Sequence, residues 1–190
     1  MSGKPFVSVT ATTAAEICSR FAVKKEALAL LREGMTPEEF AEALMASKQY
    51  VTGIDYMAHA LPPREAIWWG CLCLQHACGD SLPPAEKEAC RLTVQWVVQP
   101  TEESRFALLA PAQMAGPATV AGGLAMAAYQ TGANVAPSHL PPMAPQPFAP
   151  AKAVAGAIKM ACTKGDPVKI IETQRLLLEL GITMAEGNSG

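Results

Sequence analysis

The chain has 190 residues and a formal net charge of −2; half of its residues are hydrophobic and 17% are charged. Such apolar content excludes a disordered chain, and so small a charge leaves no field to draw in nucleic acid or an anionic membrane. A chain of this length buries about 70% of the surface it exposes when unfolded. One domain spanning residues 1–190, with no need of disulfides, is therefore expected.

The start of the chain carries Lys4 and only a short apolar run, Phe6-Val7-Ser8-Val9. A secretory signal needs a longer apolar core and a small-residue cleavage site. A cytoplasmic chain is expected, and in that reducing setting its six cysteines are thiols. Thr13 followed by Glu16 has the spacing of a capping box, predicting a helix through Ile17, Cys18 and Phe21. Thr36-Pro37-Glu38-Glu39 supplies a cap, a proline at the first helical position and acids facing the helix dipole. It opens a helix through Phe40, Ala43 and Leu44, and another is expected over residues 48–60, with Val51, Ile54, Met57 and Ala58 on one face.

Leu61-Pro62-Pro63-Arg64-Glu65 recurs 21 residues later as Leu82-Pro83-Pro84-Ala85-Glu86. Both copies put prolines and an acid where a helix begins, predicting helices over 63–79 and 84–98. Two copies do not make a solenoid. In the first helix no residue of 66–78 is charged, and Ile67, Trp68, Trp69, Leu72 and Leu74 point all round, as in the middle of a bundle. The second sets Glu86, Lys87, Glu88 and Arg91 beside a stripe of Ala89, Leu92, Thr93 and Trp96, as at a periphery.

Thr101-Glu102-Glu103 begins a helix through Phe106 and Leu109, with Pro111 set to kink or end it. Pro117 opens an Ala/Gly-rich helix to Tyr129. Residues 137–150 hold six prolines in fourteen positions, which excludes helix or central strand and favours extended backbone. Helices over 151–163 and from Asp166-Pro167 to Ala185 close the sequence. The fold class expected is all-α: a helical bundle or stacked helical hairpins, with a Pro-rich loop at 136–150.

The cysteines invite a metal reading. Cys71, Cys73 and Cys78, with His76 and Cys90, could supply thiolate and imidazole ligands. However, residue 73 lies about 200° around the helix from residue 71, at 3.6 residues per turn, whereas zinc ligands come in knuckles or at i, i+3 and i+4 spacings. Buried apolar thiols are the favoured reading. His59, His76 and His139 form no metal pair, and no HExxH, Cys-x-x-Cys, Walker, dinucleotide or Gly-x-Ser-x-Gly motif occurs. The Glu38/Glu39, Glu86/Glu88 and Glu102/Glu103 pairs sit in first helical turns, where the dipole accounts for them. No catalytic residue, cofactor or metal is therefore expected.

All 32 charged residues lie outside positions 106–151, leaving 46 consecutive uncharged residues. A membrane span is disfavoured by Pro111, Gly116, Pro117 and Gly122-Gly123, which interrupt the apolar run. Two readings stay open, a buried helix with a packed loop, or a charge-free partner surface. For the loop, Leu140, Met143 and Phe148 are the candidate partner-binding residues.

Taken as a set, three segments resemble a bacterial family of about this length without assigned chemistry. They are Leu61-Pro62-Pro63-Arg64-Glu65-Ala66-Ile67-Trp68-Trp69-Gly70-Cys71-Leu72-Cys73, Gln99-Pro100-Thr101-Glu102-Glu103-Ser104-Arg105, and the 137–148 loop running into Ala153-Val154-Ala155-Gly156-Ala157. The resemblance extends from Ala14-Ala15-Glu16-Ile17-Cys18 to Leu180-Gly181. The family it points to is associated with type VI secretion clusters encoding spike-tip proteins and effector-loading chaperones. The resemblance implies an accessory or co-chaperone protein that binds a spike-tip protein, an effector or an effector chaperone. It carries over no functional residue. The alternative is a helical enzyme or thiol/metal-binding protein using the Cys71–Cys90 cluster.

Overall fold

The computed structural model describes residues 4–79, 81–136 and 140–187. Among these residues all regular structure is helical: α1 (Ala14–Cys18), α2 (Lys25–Leu28), α3 (Pro37–Ala46), α4 (Tyr50–Ala60), α5 (Pro63–Cys78), α6 (Pro84–Val98), α7 (Glu102–Phe106), α8 (Leu109–Ala115), α9 (Val120–Tyr129), α10 (Ala149–Ala161) and α11 (Ile170–Ala185). The all-α class read from the sequence is the class observed. The chain forms two compact units, one from residues up to Pro62 and from Asp166 onward, the other from Pro63 to Gly165.

In the first unit, α3 starts on a complete capping box. The Thr36 hydroxyl accepts from the Glu39 amide at 3.4 Å, and the Glu39 carboxylate accepts from the Thr36 amide at 3.0 Å. At Thr13 only half of such a box forms, because the Glu16 carboxylate turns to the Thr12 amide and hydroxyl instead. The helix expected to run through Phe21 stops at Cys18. Phe21 instead stacks on His59 at 4.9 Å, and neighbouring Arg20 donates to the His59 carbonyl at the end of α4. Tyr56 of α4 packs edge-on against Phe40 of α3 at 5.0 Å and donates to the Pro37 carbonyl. Gly53 admits Leu178 of α11; a Cβ there would stand 2.4 Å from Leu178 Cδ2. The last helix begins as a 3-10 turn, Pro167–Lys169, because the Asp166 carboxylate accepts from the Val168 amide and tightens the start. Its Ile171 is exposed.

The second unit is built around α9, every residue of which is buried except the partly exposed Met126. Its alanines and glycines let neighbours approach closely. A Cβ on Gly70 of α5 would meet Leu124 Cδ2 at 2.2 Å, and one on Gly123 would rest on Ala157 of α10. Helices α5 and α6 begin at the prolines that predict them, α6 keeping its expected end and α5 stopping one residue early at Cys78, and Arg64 of α5 caps the end of α6 through the Val97 carbonyl at 2.6 Å. Two sequence expectations change here. The α5 helix is not apolar-buried all round: Ile67, Trp69 and Leu74 are buried, but Trp68 and Leu72 are half-buried and Gln75 and His76 exposed. In α6, Glu86 is buried with Ala89, Thr93 and Trp96 instead of lying on the solvent face. Glu86 stands three residues before Ala89 and seven before Thr93, which places it on the same inner stripe of the helix.

Pro111 neither kinks nor ends a long helix. The chain turns earlier, at Ala107 and Leu108, and Pro111 sits in the first turn of α8, where its missing N–H leaves no intrahelical bond unmade. The same reasoning shortens the proline segment: α10 starts at Ala149 and takes Pro150 into its first turn, so the loop ends at Phe148.

Candidate partner-binding site

The uncharged stretch divides between core and surface. Helix α9 is core, whereas residues 140–148 are exposed except for the half-buried Pro145. Pro137, Ser138 and His139 lie outside the described residues. The three residues singled out in the loop are all on the surface: Leu140 is 52% exposed, Met143 59% and Phe148 45%.

The base of the loop is fixed by hydrogen bonds that its prolines cannot supply. The Val135 amide donates to the Met143 carbonyl at 2.8 Å. The Asn134 side-chain oxygen accepts from the Ala136 amide at 2.9 Å and from the Met143 amide at 2.8 Å. Met143 therefore has both backbone groups tied down while its side chain faces outward. At the far end, Phe148 has a left-handed backbone, φ 56°, ψ 24°, and caps α10 by accepting from the Lys152 amide at 3.0 Å. A bulky residue in that region is uncommon, and the surrounding packing must hold it there.

Beneath the Asn134 turn is Arg105, 2% exposed. Its guanidinium donates to the carbonyls of Tyr129 and Asn134, the latter at 2.9 Å, and makes a two-pronged pair with Glu102 at 2.8 and 2.7 Å. It also lies over the Phe106 ring at 4.3 Å. Tyr129 in turn donates its hydroxyl to the Val135 carbonyl. Gly132 is required here, because a Cβ would lie 2.3 Å from Arg105 Cζ. The guanidinium holds the Glu102 carboxyl below the ordinary value of 4.5, although Glu102 itself is 72% exposed. Sequence reasoning passed over this clamp. The available signal was position: Arg105 is the last charge before the 46 uncharged residues, and Gly132 and Asn134 are turn formers just after α9.

The cysteines do not assemble as a group. Among the described residues, no three or more His, Cys, Asp and Glu side chains are placed to hold a metal. His76 is exposed, Cys73 is buried, and half-buried Cys78 borders a shallow cleft of about 340 Å³ with Glu86 and Lys164. Cys71 is buried and Cys90 half-buried, and the two thiols influence each other's titration.

A family model matches residues 40–185, well over half of the chain. The chain belongs to DUF6931, a family of unknown function. Membership of a family without assigned chemistry is what the sequence resemblance implied. Comparison with curated proteins and with solved structures finds no match. The matched DUF6931 span includes the Arg105 clamp, the loop and five of the six cysteines, all but Cys18. Among the described residues, no helix is long and apolar enough to cross a membrane.

Proposed function

We propose that this chain is a protein-binding accessory or co-chaperone protein, whose partner docks on residues 140–148 through Leu140, Met143 and Phe148. The observation that carries the reading is three large apolar side chains, each about half exposed, on a charge-free loop whose base is clipped by Asn134 and Arg105. Covering what remains exposed of each side chain is worth roughly 1 kcal/mol, about half the value for full burial. The loop's prolines and clip reduce the conformational entropy lost when a partner fixes it. No charge in the segment has to be stripped of water. The resemblance of the sequence supplies the setting: loading of a type VI secretion effector in the cytoplasm, with a spike-tip protein, an effector or an effector chaperone as partner. Nucleic-acid binding, membrane insertion, cofactor and catalysis form no part of this reading.

The test is capture from the native host followed by mass spectrometry, comparing the wild type with the double variant Met143→Asp, Phe148→Asp. The reading expects a partner retained by the wild type and lost by the variant, with the melting temperature nearly unchanged. Unchanged capture, or a variant that unfolds, would make the loop part of the packing and reject it as the docking surface.

A further inference from the structure

Helices α5 and α6 pack against each other and are joined by only five residues, 79–83. Cys71 stands seven residues before the last residue of α5, and Cys90 six after the first of α6. At 1.5 Å per residue the two cysteines are thus nearly level, about 10.5 and 9 Å from the connection. The two thiols also lie close enough for each to shift the other's titration. Cys71 is sealed in the interior while Cys90 keeps partial access to solvent. One accessible sulfur backed by one buried sulfur is the arrangement of a reactive thiol with its resolving partner.

We propose that Cys90 and Cys71 are a redox-reactive pair that closes to a reversible disulfide, stapling α5 to α6, when the protein meets a two-electron peroxide oxidant. The sulfur of the Cys90 thiolate attacks one peroxide oxygen, the O–O bond breaks and hydroxide leaves, giving a sulfenic acid at Cys90. The Cys71 sulfur then displaces that hydroxyl: the S–S bond forms, the S–O bond breaks, and the Cys71 proton departs with the hydroxyl as water. Across both steps two thiols and one hydrogen peroxide give one disulfide and two waters. The Cys71 thiol beside it brings the Cys90 thiol down to about 7 against the opposing effect of burial, so thiolate is available near neutral pH. The same proximity, with burial, holds Cys71 in its protonated form. The other thiols lack this support: burial pushes Cys18 and Cys162 up to about 11 and Cys73 well above the ordinary range. This inference is independent of the loop reading.

The experiment treats the purified full chain with stoichiometric hydrogen peroxide, blocks residual thiols and digests with trypsin. Cys71, Cys73 and Cys78 fall in the peptide 65–87 and Cys90 in 88–91. The expected product is a 65–87/88–91 pair joined with loss of two hydrogens and released by dithiothreitol. The link should persist in Cys73→Ser and Cys78→Ser and vanish in Cys71→Ser and Cys90→Ser. Cys90 is half-buried, so Cys90→Ser tests the pairing even if the buried Cys71→Ser fails to fold. The pH profile of iodoacetamide labelling at Cys90 should have its midpoint near 7. No cross-link, a link through Cys78, or labelling at Cys90 that rises only near pH 9 would overturn the pair.

Discussion

Arg105→Met keeps most of the side-chain volume and removes every donor from the clamp. The Tyr129 and Asn134 carbonyls then each lose a charge-assisted hydrogen bond, about 1.5–3 kcal/mol apiece. Stacking on Phe106 adds about 0.5–1 kcal/mol. Part of this is offset because a neutral side chain costs less to bury than a guanidinium, leaving a loss of about 3–5 kcal/mol. Glu102→Gln is the control. That carboxylate is 72% exposed, so its ion pair contributes under about 1 kcal/mol. Trp68, Trp69 and Trp96 all lie in the second unit, so a urea melt followed by tryptophan fluorescence reports on the clamp's own unit. Hydrogen exchange at the Val135 and Met143 amides should accelerate in Arg105→Met. A loss below about 1 kcal/mol, or equal losses in both variants, would refute the clamp as the main support of the loop.

Two further outcomes are expected. A Cβ on Gly122 would lie 2.1 Å from the Gly116 carbonyl oxygen, a backbone atom, whereas one on Gly156 in α10 meets nothing within 4 Å. Gly122→Ala should therefore lose about 1–3 kcal/mol and Gly156→Ala gain about 0.5–1 kcal/mol in thermal melts; the same sign for both would contradict the packing around α9. The third expectation concerns acid. Glu102's carboxyl is held below 4.5 in the folded chain by Arg105, so its contribution is fully present above pH 4.5 and lost as pH falls through the lower folded value. The small stability gap between wild type and Glu102→Gln should close in acid, and a gap that persists there would assign the effect to something other than the ion pair.

Helix starts were legible in the sequence because their chemistry is local. Thr36 and Thr101 accept from amides three residues on, Pro84 sets the backbone angle of the first helical residue, and those helices begin where the residues predict. Helix ends were less so. The α1 segment stops at Cys18, and the chain turns before Pro111, because no local residue specifies either end. Composition also marked a loop at 136–150 and its apolar residues, since a run of prolines cannot join a helix interior or a sheet. What composition could not supply was which apolar residues face outward. The exposure of Met143 depends on hydrogen bonds its backbone makes to the Asn134 side-chain oxygen and accepts from the Val135 amide, and the turn carrying them rests on an arginine 29 residues away from Asn134. Likewise, helical spacing set Cys71 and Cys73 on opposite faces and argued against a metal cluster, but it spoke for α5 alone. The pairing of Cys71 with Cys90 belongs to two helices. Periodicity describes one element at a time; contacts between elements were decided by the tertiary packing that brings distant segments together.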